Sequence, residues 1–183
     1  MFKSVKKLFA GVLAAAIMLS GAEAAFAAGS PVTAPTAVTE EKVKEDNSGD
    51  IYATWDYGHA SLVTKEKTSK KSVTVPATVV VKGYTYDVTV VRNDAFKNAK
   101  KMTKVVLSKN TSIIRKKAFR TNKKLKTIVA KTTKKMSIAK TAFKGIDTKK
   151  ITFKANKKMS KKNKAALKKA LKKAGFKGKL KFV

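Results

Sequence analysis

Lysine ammonium groups are nearly all that this sequence offers for chemistry. The 183 residues hold no cysteine and one histidine, His59, which excludes a disulfide framework and a thiolate metal site and leaves little imidazole chemistry. General acid–base catalysis needs two carboxylates, or a base beside a nucleophile. From residue 67 onward the carboxylates are Asp87, Asp94 and Asp147, unpaired in spacing. No glycine-rich phosphate loop, metal-ligand cluster or nucleophile elbow is written in the chain. No catalytic residue, metal ligand or cofactor is therefore expected. What remains is electrostatic attraction. Residues 67–183 carry 37 basic and 3 acidic side chains, whereas residues 28–66 carry 3 basic and 7 acidic ones. Lysine dominates over arginine, so the surface attracts as point charges, without the planar fork that arginine offers a carboxylate.

The elements that must position those lysines are set by a repeat. The dipeptide Ala-Phe occurs at Ala95-Phe96, Ala118-Phe119 and Ala142-Phe143, at spacings of 23 and 24 residues. An aliphatic residue stands four before each alanine (Val91, Ile114, Ile138), and a short strand-like run follows each phenylalanine. In the first two copies the run is Met102-x-x-Val105-x-Leu107 and Leu125-x-x-Ile128-x-Ala130; the third reads as one residue shorter and degenerates to Ile151-Thr152-Phe153. A unit of this length cannot bury its apolar face alone, but stacked units share one core. Period-two alternation turns Met102, Val105 and Leu107 inward and Lys104 and Val106 outward, with Thr127 and Val129, then Lys150 and Thr152, as the equivalent outward pairs.

Around the repeats the chain divides by composition. Residues 1–27 have a basic start, an apolar run from Leu8 to Leu19 and small residues to Ala27, the pattern of a secretory signal cleaved near Ala27. The apolar run is too short to span a bilayer comfortably. Residues 28–49, with Pro31, Pro35 and a charged stretch, read as a flexible linker. Residues 50–87 alternate in short runs bounded by turns and read as a β-rich amino-terminal cap covering the open strand edge of the first coil. Trp55 is its expected apolar anchor, although with Tyr57 and His59 it could instead form a ligand patch. Three coils occupy residues 88–158. In residues 159–183, Ser160 is a good helix cap and Gly175 a good terminator. Leu167, Ala170, Leu171 and Ala174 form a narrow apolar stripe, and Leu180 and Phe182 suggest a last strand. The segment reads as a capping helix and strand.

The V-x-x-I-x-x-x-A-F-x-x-x-x-x-L-x-x-I-x-I framework of residues 88–107 and 111–130, with the lead-in Val73-Thr74-Val75-Pro76-Ala77-Thr78-Val79, resembles the BspA-like leucine-rich repeat family of exported bacterial proteins. Arg92, Arg115 and Ala139 stand where that family usually has glycine. The resemblance implies an α/β chain forming a short right-handed solenoid with one strand per coil, secreted or at the cell surface, involved in adhesion and not catalytic.

Export joined to a polycationic solenoid points to a binding module for an anionic cell-wall or host-surface polymer, or a surface protein. The expected binding face is the outward strand face: Lys104, Val106, Thr127, Val129, Lys150 and Thr152. Two other readings are open. A basic domain can bind nucleic acid adventitiously, but no groove-reading motif is present and the aromatics recur as core markers. The lysine-rich tail has the makeup of a membrane-active amphipathic helix, but its stripe is narrow.

Overall fold

The computed structural model describes residues 40–45, 47–55 and 58–183. The signal-like segment 1–27 and the first part of the linker, 28–39, lie outside the described residues, as does Tyr57.

Among the described residues twelve strands follow in chain order: β1 (Glu40–Lys44), β2 (Ile51–Trp55), β3 (His59–Thr64), β4 (Ser72–Val75), β5 (Thr78–Val81), β6 (Tyr84–Val91), β7 (Lys104–Leu107), β8 (Ile113–Ile114), β9 (Thr127–Ala130), β10 (Ser137–Ile138), β11 (Thr152–Ala155) and β12 (Lys179–Phe182). Among the described residues the α-helix is α1 (Lys161–Lys173), and a 3₁₀ turn spans Thr148–Lys150. The strands are runs of Val, Ile and Thr, which suit a pleated, half-buried surface. They form two sheets. One has the order β12-β11-β9-β7-β4, all parallel. The other runs β1-β2-β3-β6-β8-β10, with β5 added to β6 as a hairpin. That hairpin turns at Lys82-Gly83, both at positive φ (52° and 78°), the primed geometry that matches strand twist.

Each winding therefore contributes a strand to both sheets, as β8 and β9 do in the second copy. The expectation of an α/β fold with one strand per coil is corrected: the solenoid is a strand structure with a single carboxy-terminal helix. The cause is the aliphatic residue four before each Ala-Phe. Val91, Ile114 and Ile138 line up in register across β6, β8 and β10, and that short parallel ladder makes a second side to the coil.

The interior lies between the sheets and is one cluster, reaching from Tyr52 to Ala174. Phe96, Phe119 and Phe143 are 0%, 0% and 3% exposed. Their rings stack at 5.2 Å and 5.8 Å, within 8° of parallel. The alanine beside each phenylalanine is buried as well, at the tight inside of the turn. Phe176 closes the stack, 5.3 Å from Phe143 and edge-on to Phe153.

Three further corrections concern detail. The third copy is longer than expected between marker and strand. Phe143 precedes β11 by nine residues, where Phe96 and Phe119 precede their strands by eight, and the 3₁₀ turn absorbs the difference. The linker does not run to residue 49, since β1 pairs antiparallel with β2. In the cap, the buried aromatics are Tyr52 and Tyr86, at 1% and 0% exposure, whereas Trp55 is only half-buried. Tyr52 points to the core side of β2, and Trp55, three residues on, lies on the outer side.

The ends of the coil are covered by chain that also extends it. β4 and β12 join the parallel sheet as its first and last rungs. In α1, the Ser160 hydroxyl accepts from the Asn163 N–H at 3.2 Å. After Ala174, Gly175 turns left-handed at φ 70°, and the N–H groups of Gly175 and Phe176 donate back to the carbonyls of Lys172 and Leu171, a Schellman end. Leu167 and Leu171 face the last coil and are buried. Gly178 then lets β12 approach: a methyl group there would collide with the carbonyl oxygens of Thr148 and Ile151. Gly178→Ala should cost about 2 kcal/mol through forced displacement of β12, read as a lower urea midpoint. An unchanged midpoint would mean that β12 does not dock there.

Candidate functional site

In the parallel sheet the registers place the outward side chains in two rows. One is Ser72, Lys104, Thr127, Thr152, Lys179; the other is Thr74, Val106, Val129, Lys154, Lys181. Lys104, Val106, Thr127, Val129 and Thr152 thus lie together on one face, as period-two alternation requires. Lys150 does not join them. It belongs to the 3₁₀ turn ahead of β11, and Lys154 takes the place beside Val129 because the longer turn shifts the register. The repeat markers Ala95, Phe96, Ala118, Phe119, Ala142 and Phe143 are all interior.

The strand face is more mixed than cationic. Threonine and valine fill its centre, lysine its β12 end, and Ser72 and Thr74 its β4 end, with Lys104 between. A denser charge runs along the coil edge just ahead of the strands. Lys100-Lys101 and Lys123-Lys124 occupy equivalent places four and three residues before β7 and β9, Lys149-Lys150 precede β11, and all six are exposed. Successive strands are about 4.8 Å apart, and screening at physiological ionic strength reaches about 8 Å. Charges on neighbouring windings therefore repel, and a polyanion laid along the edge relieves that repulsion. Sequence reasoning missed these dyads although the signal was available: the first two pairs recur with the same 23-residue period as the Phe markers.

The acidic groups of the coils do not neutralise this edge. Asp87 accepts from the Asn110 amide at 2.9 Å, and Asp94 holds Arg120 at 2.8 Å. Asp147 caps the 3₁₀ turn by accepting from the Lys149 N–H, and its contact to Lys150 is a long 3.9 Å between exposed groups, a geometry of little net worth.

Carboxylates cluster instead in the cap, where they are structural. Asp50 is buried, accepting from the Glu66 N–H at 2.8 Å and from the Lys65 ammonium. Burial first, and then the nearby Asp50 and Glu45 carboxylates, hold the Tyr52 phenol neutral well above its ordinary range. Among the described residues no group of three or more His, Cys, Asp or Glu could hold a metal ion. No helix among them is long and apolar enough to cross a membrane.

Residues 89–182, just over half of the chain, match the profile of the BspA type leucine rich repeat region. No curated protein sequence matches the chain. Among solved structures the chain is similar to a leucine rich cell surface protein from Faecalibacterium prausnitzii A2-165, with 22% identity, a TM-score of 0.50, and 66% of this chain and 30% of that one covered. It is also similar to leucine-rich repeat proteins from Bacteroides ovatus ATCC 8483 (21% identity, TM-score 0.43, 63% of this chain and 37% of that one) and Bacteroides capillosus ATCC 29799 (19%, 0.39, 63% and 72%). The chain thus spans about a third of the length of the Faecalibacterium protein. At these identities the likeness is one of fold.

Proposed function

The chain belongs to the BspA-type leucine-rich repeat family, and from that premise we propose that it is a non-enzymatic binding and adhesion module, secreted or held at a bacterial cell surface, that captures anionic envelope or host-surface polymers. We take its coils to wind right-handed, as parallel crossovers nearly always do. The observation that carries the reading is the stack of exposed lysine dyads at Lys100-Lys101, Lys123-Lys124 and Lys149-Lys150 on successive windings. Two further observations weigh against the other classes. Phe96, Phe119 and Phe143 are interior, so they form no platform on which bases could stack. The leucines of α1 are buried on the last coil and unavailable to a bilayer.

The test is a salt titration of binding to immobilised heparin. Polyelectrolyte binding through six or more cations should lose about a thousandfold or more in affinity between about 50 and 200 mM salt. Changing Lys100, Lys101, Lys123 and Lys124 to glutamine should make that dependence distinctly shallower. Negligible retention at low salt, or a quadruple variant indistinguishable from the parent, would show that the lysines only solvate the scaffold.

A further inference from the structure

The antiparallel-edged sheet has an outer face of its own, and its register sets small side chains across it. Ala53 pairs with Ser61, Ser61 with Val90, and Val90 with Ile113. Ala53, Ser61 and Val90 are 5%, 3% and 6% exposed, which makes them the floor of a cleft of about 680 Å³. Trp55, the sole tryptophan of the chain, stands half-buried on one side. On the other side are Arg92 and Arg115. Their backbone N–H groups donate to the carbonyls of Leu62 and Val91 at 2.9 Å, so the two arginines sit on adjacent rungs of one ladder. Two of the three arginines in a chain dominated by lysine thus meet at a single place. Neither guanidinium has a hydrogen-bond or ion-pair partner among the described residues. Lys42 completes the rim, and no carboxylate of the described residues lines the cleft.

We propose that this cleft binds a carboxylated pyranose, such as a uronate unit of an acidic polysaccharide, with the Trp55 indole against the sugar ring and the Arg92 and Arg115 guanidinium groups on its carboxylate. Each part answers to a different property of that ligand. A pyranose presents a flat C–H face that an indole covers while leaving the ring hydroxyls in water. A carboxylate matches the planar fork of arginine, which binds it through two parallel hydrogen bonds where lysine offers one mobile charge. The shallow floor admits a ring, and the open ends admit the neighbouring units of a chain. The site does not depend on the lysine edge: it faces outward from the other sheet and recognises shape as well as charge.

Trp55 is the intrinsic reporter. The protein is titrated with a uronate trisaccharide and with a neutral trisaccharide, at physiological salt and at about 1 M salt, where screening reaches only ~3 Å. The uronate should change the Trp55 emission saturably in both conditions, and the neutral sugar should not. Arg92→Ala with Arg115→Ala should weaken uronate binding at least tenfold, as loss of charge-assisted hydrogen bonds does, while leaving retention on dextran sulfate, a polyanion without carboxylates, nearly unchanged. Arg92→Lys with Arg115→Lys preserves charge and should still lose most of the affinity. Circular dichroism establishes that both double variants are folded. No emission change, full binding by the lysine variant, loss of the response at high salt, or equal response to a sulfated trisaccharide would each overturn the assignment. Failure of retention on dextran sulfate alone would instead strike the lysine-edge reading and leave this one standing.

Discussion

Phe119→Ala should be the most damaging single substitution in the coils, lowering the free energy of unfolding by about 3–5 kcal/mol. Phe119 is fully buried and is the middle ring of its stack, with Phe96 at 5.2 Å on one side and Phe143 at 5.8 Å on the other. Truncation removes the transfer free energy of the ring, leaves a cavity, and forfeits two ring–ring contacts of roughly 0.5–1.5 kcal/mol each. Phe96 has one such neighbour, so Phe96→Ala should cost less. The form of unfolding should change too. In a solenoid each winding is stabilised chiefly by the next, so weakening a central interface uncouples the two ends. Trp55 reports the amino-terminal cap, whereas far-ultraviolet circular dichroism reports the whole chain. The two urea transitions should coincide in the parent and separate in the variant. A loss below about 1 kcal/mol with coincident transitions would mean that the phenylalanine stack does not bind the windings together.

Asn122→Asp is expected to be nearly as severe, and its cost should depend on pH. Asn122 is fully buried, and its amide donates to the carbonyls of Phe96 at 3.1 Å and Ala99 at 3.0 Å, tying one winding to the turn before it. Aspartate has the same shape but, when ionised, offers only acceptors. It would face two carbonyl oxygens with no donor and no counterion, a buried unpaired charge costing several kcal/mol. The folded state can hold the aspartate readily only when protonated, so its pKa in the fold is raised above the unfolded value of about 3.9. The stability of the variant is then highest below that unfolded value and falls as pH rises toward the raised one. Asn122→Ala should instead cost about 1–3 kcal/mol without that pH dependence. Urea midpoints of the three proteins at acid and neutral pH decide the matter. An aspartate variant as stable at neutral pH as in acid would show that position 122 is open to water.

The two substitutions also mark what was legible. Phe119 is announced by its recurrence beside alanine at a solenoid period, and its burial follows because such a unit has nowhere else to hide its apolar side. Asn122 carries no such sign. It stands between Thr121 and Lys123 like any surface residue and does not recur at the repeat period. Its role exists only because the preceding turn presents two carbonyl groups to it. Lys150 shows the same limit from the other side. Alternation within a strand is dependable, but the longer turn ahead of β11 moved the frame, putting Thr152 beside Thr127, where Lys150 was expected, and Lys154 beside Val129, where Thr152 was expected.

The order of residues by itself determined the coil period, the inward and outward sides of β7 and β9, the capping helix with its Ser160 and Gly175 ends, and the polycationic character. These depend on local periodicity, local turn chemistry and a charge count, all of which act over a few neighbouring positions. Tertiary structure alone decided that each winding feeds two sheets, that β4 and β12 complete the parallel one, and that Trp55, Arg92 and Arg115 line one cleft. Those outcomes depend on which strand lies beside which and in what register. Pairing of distant strands is selected by the shared interior they enclose, and no short stretch of chain encodes it.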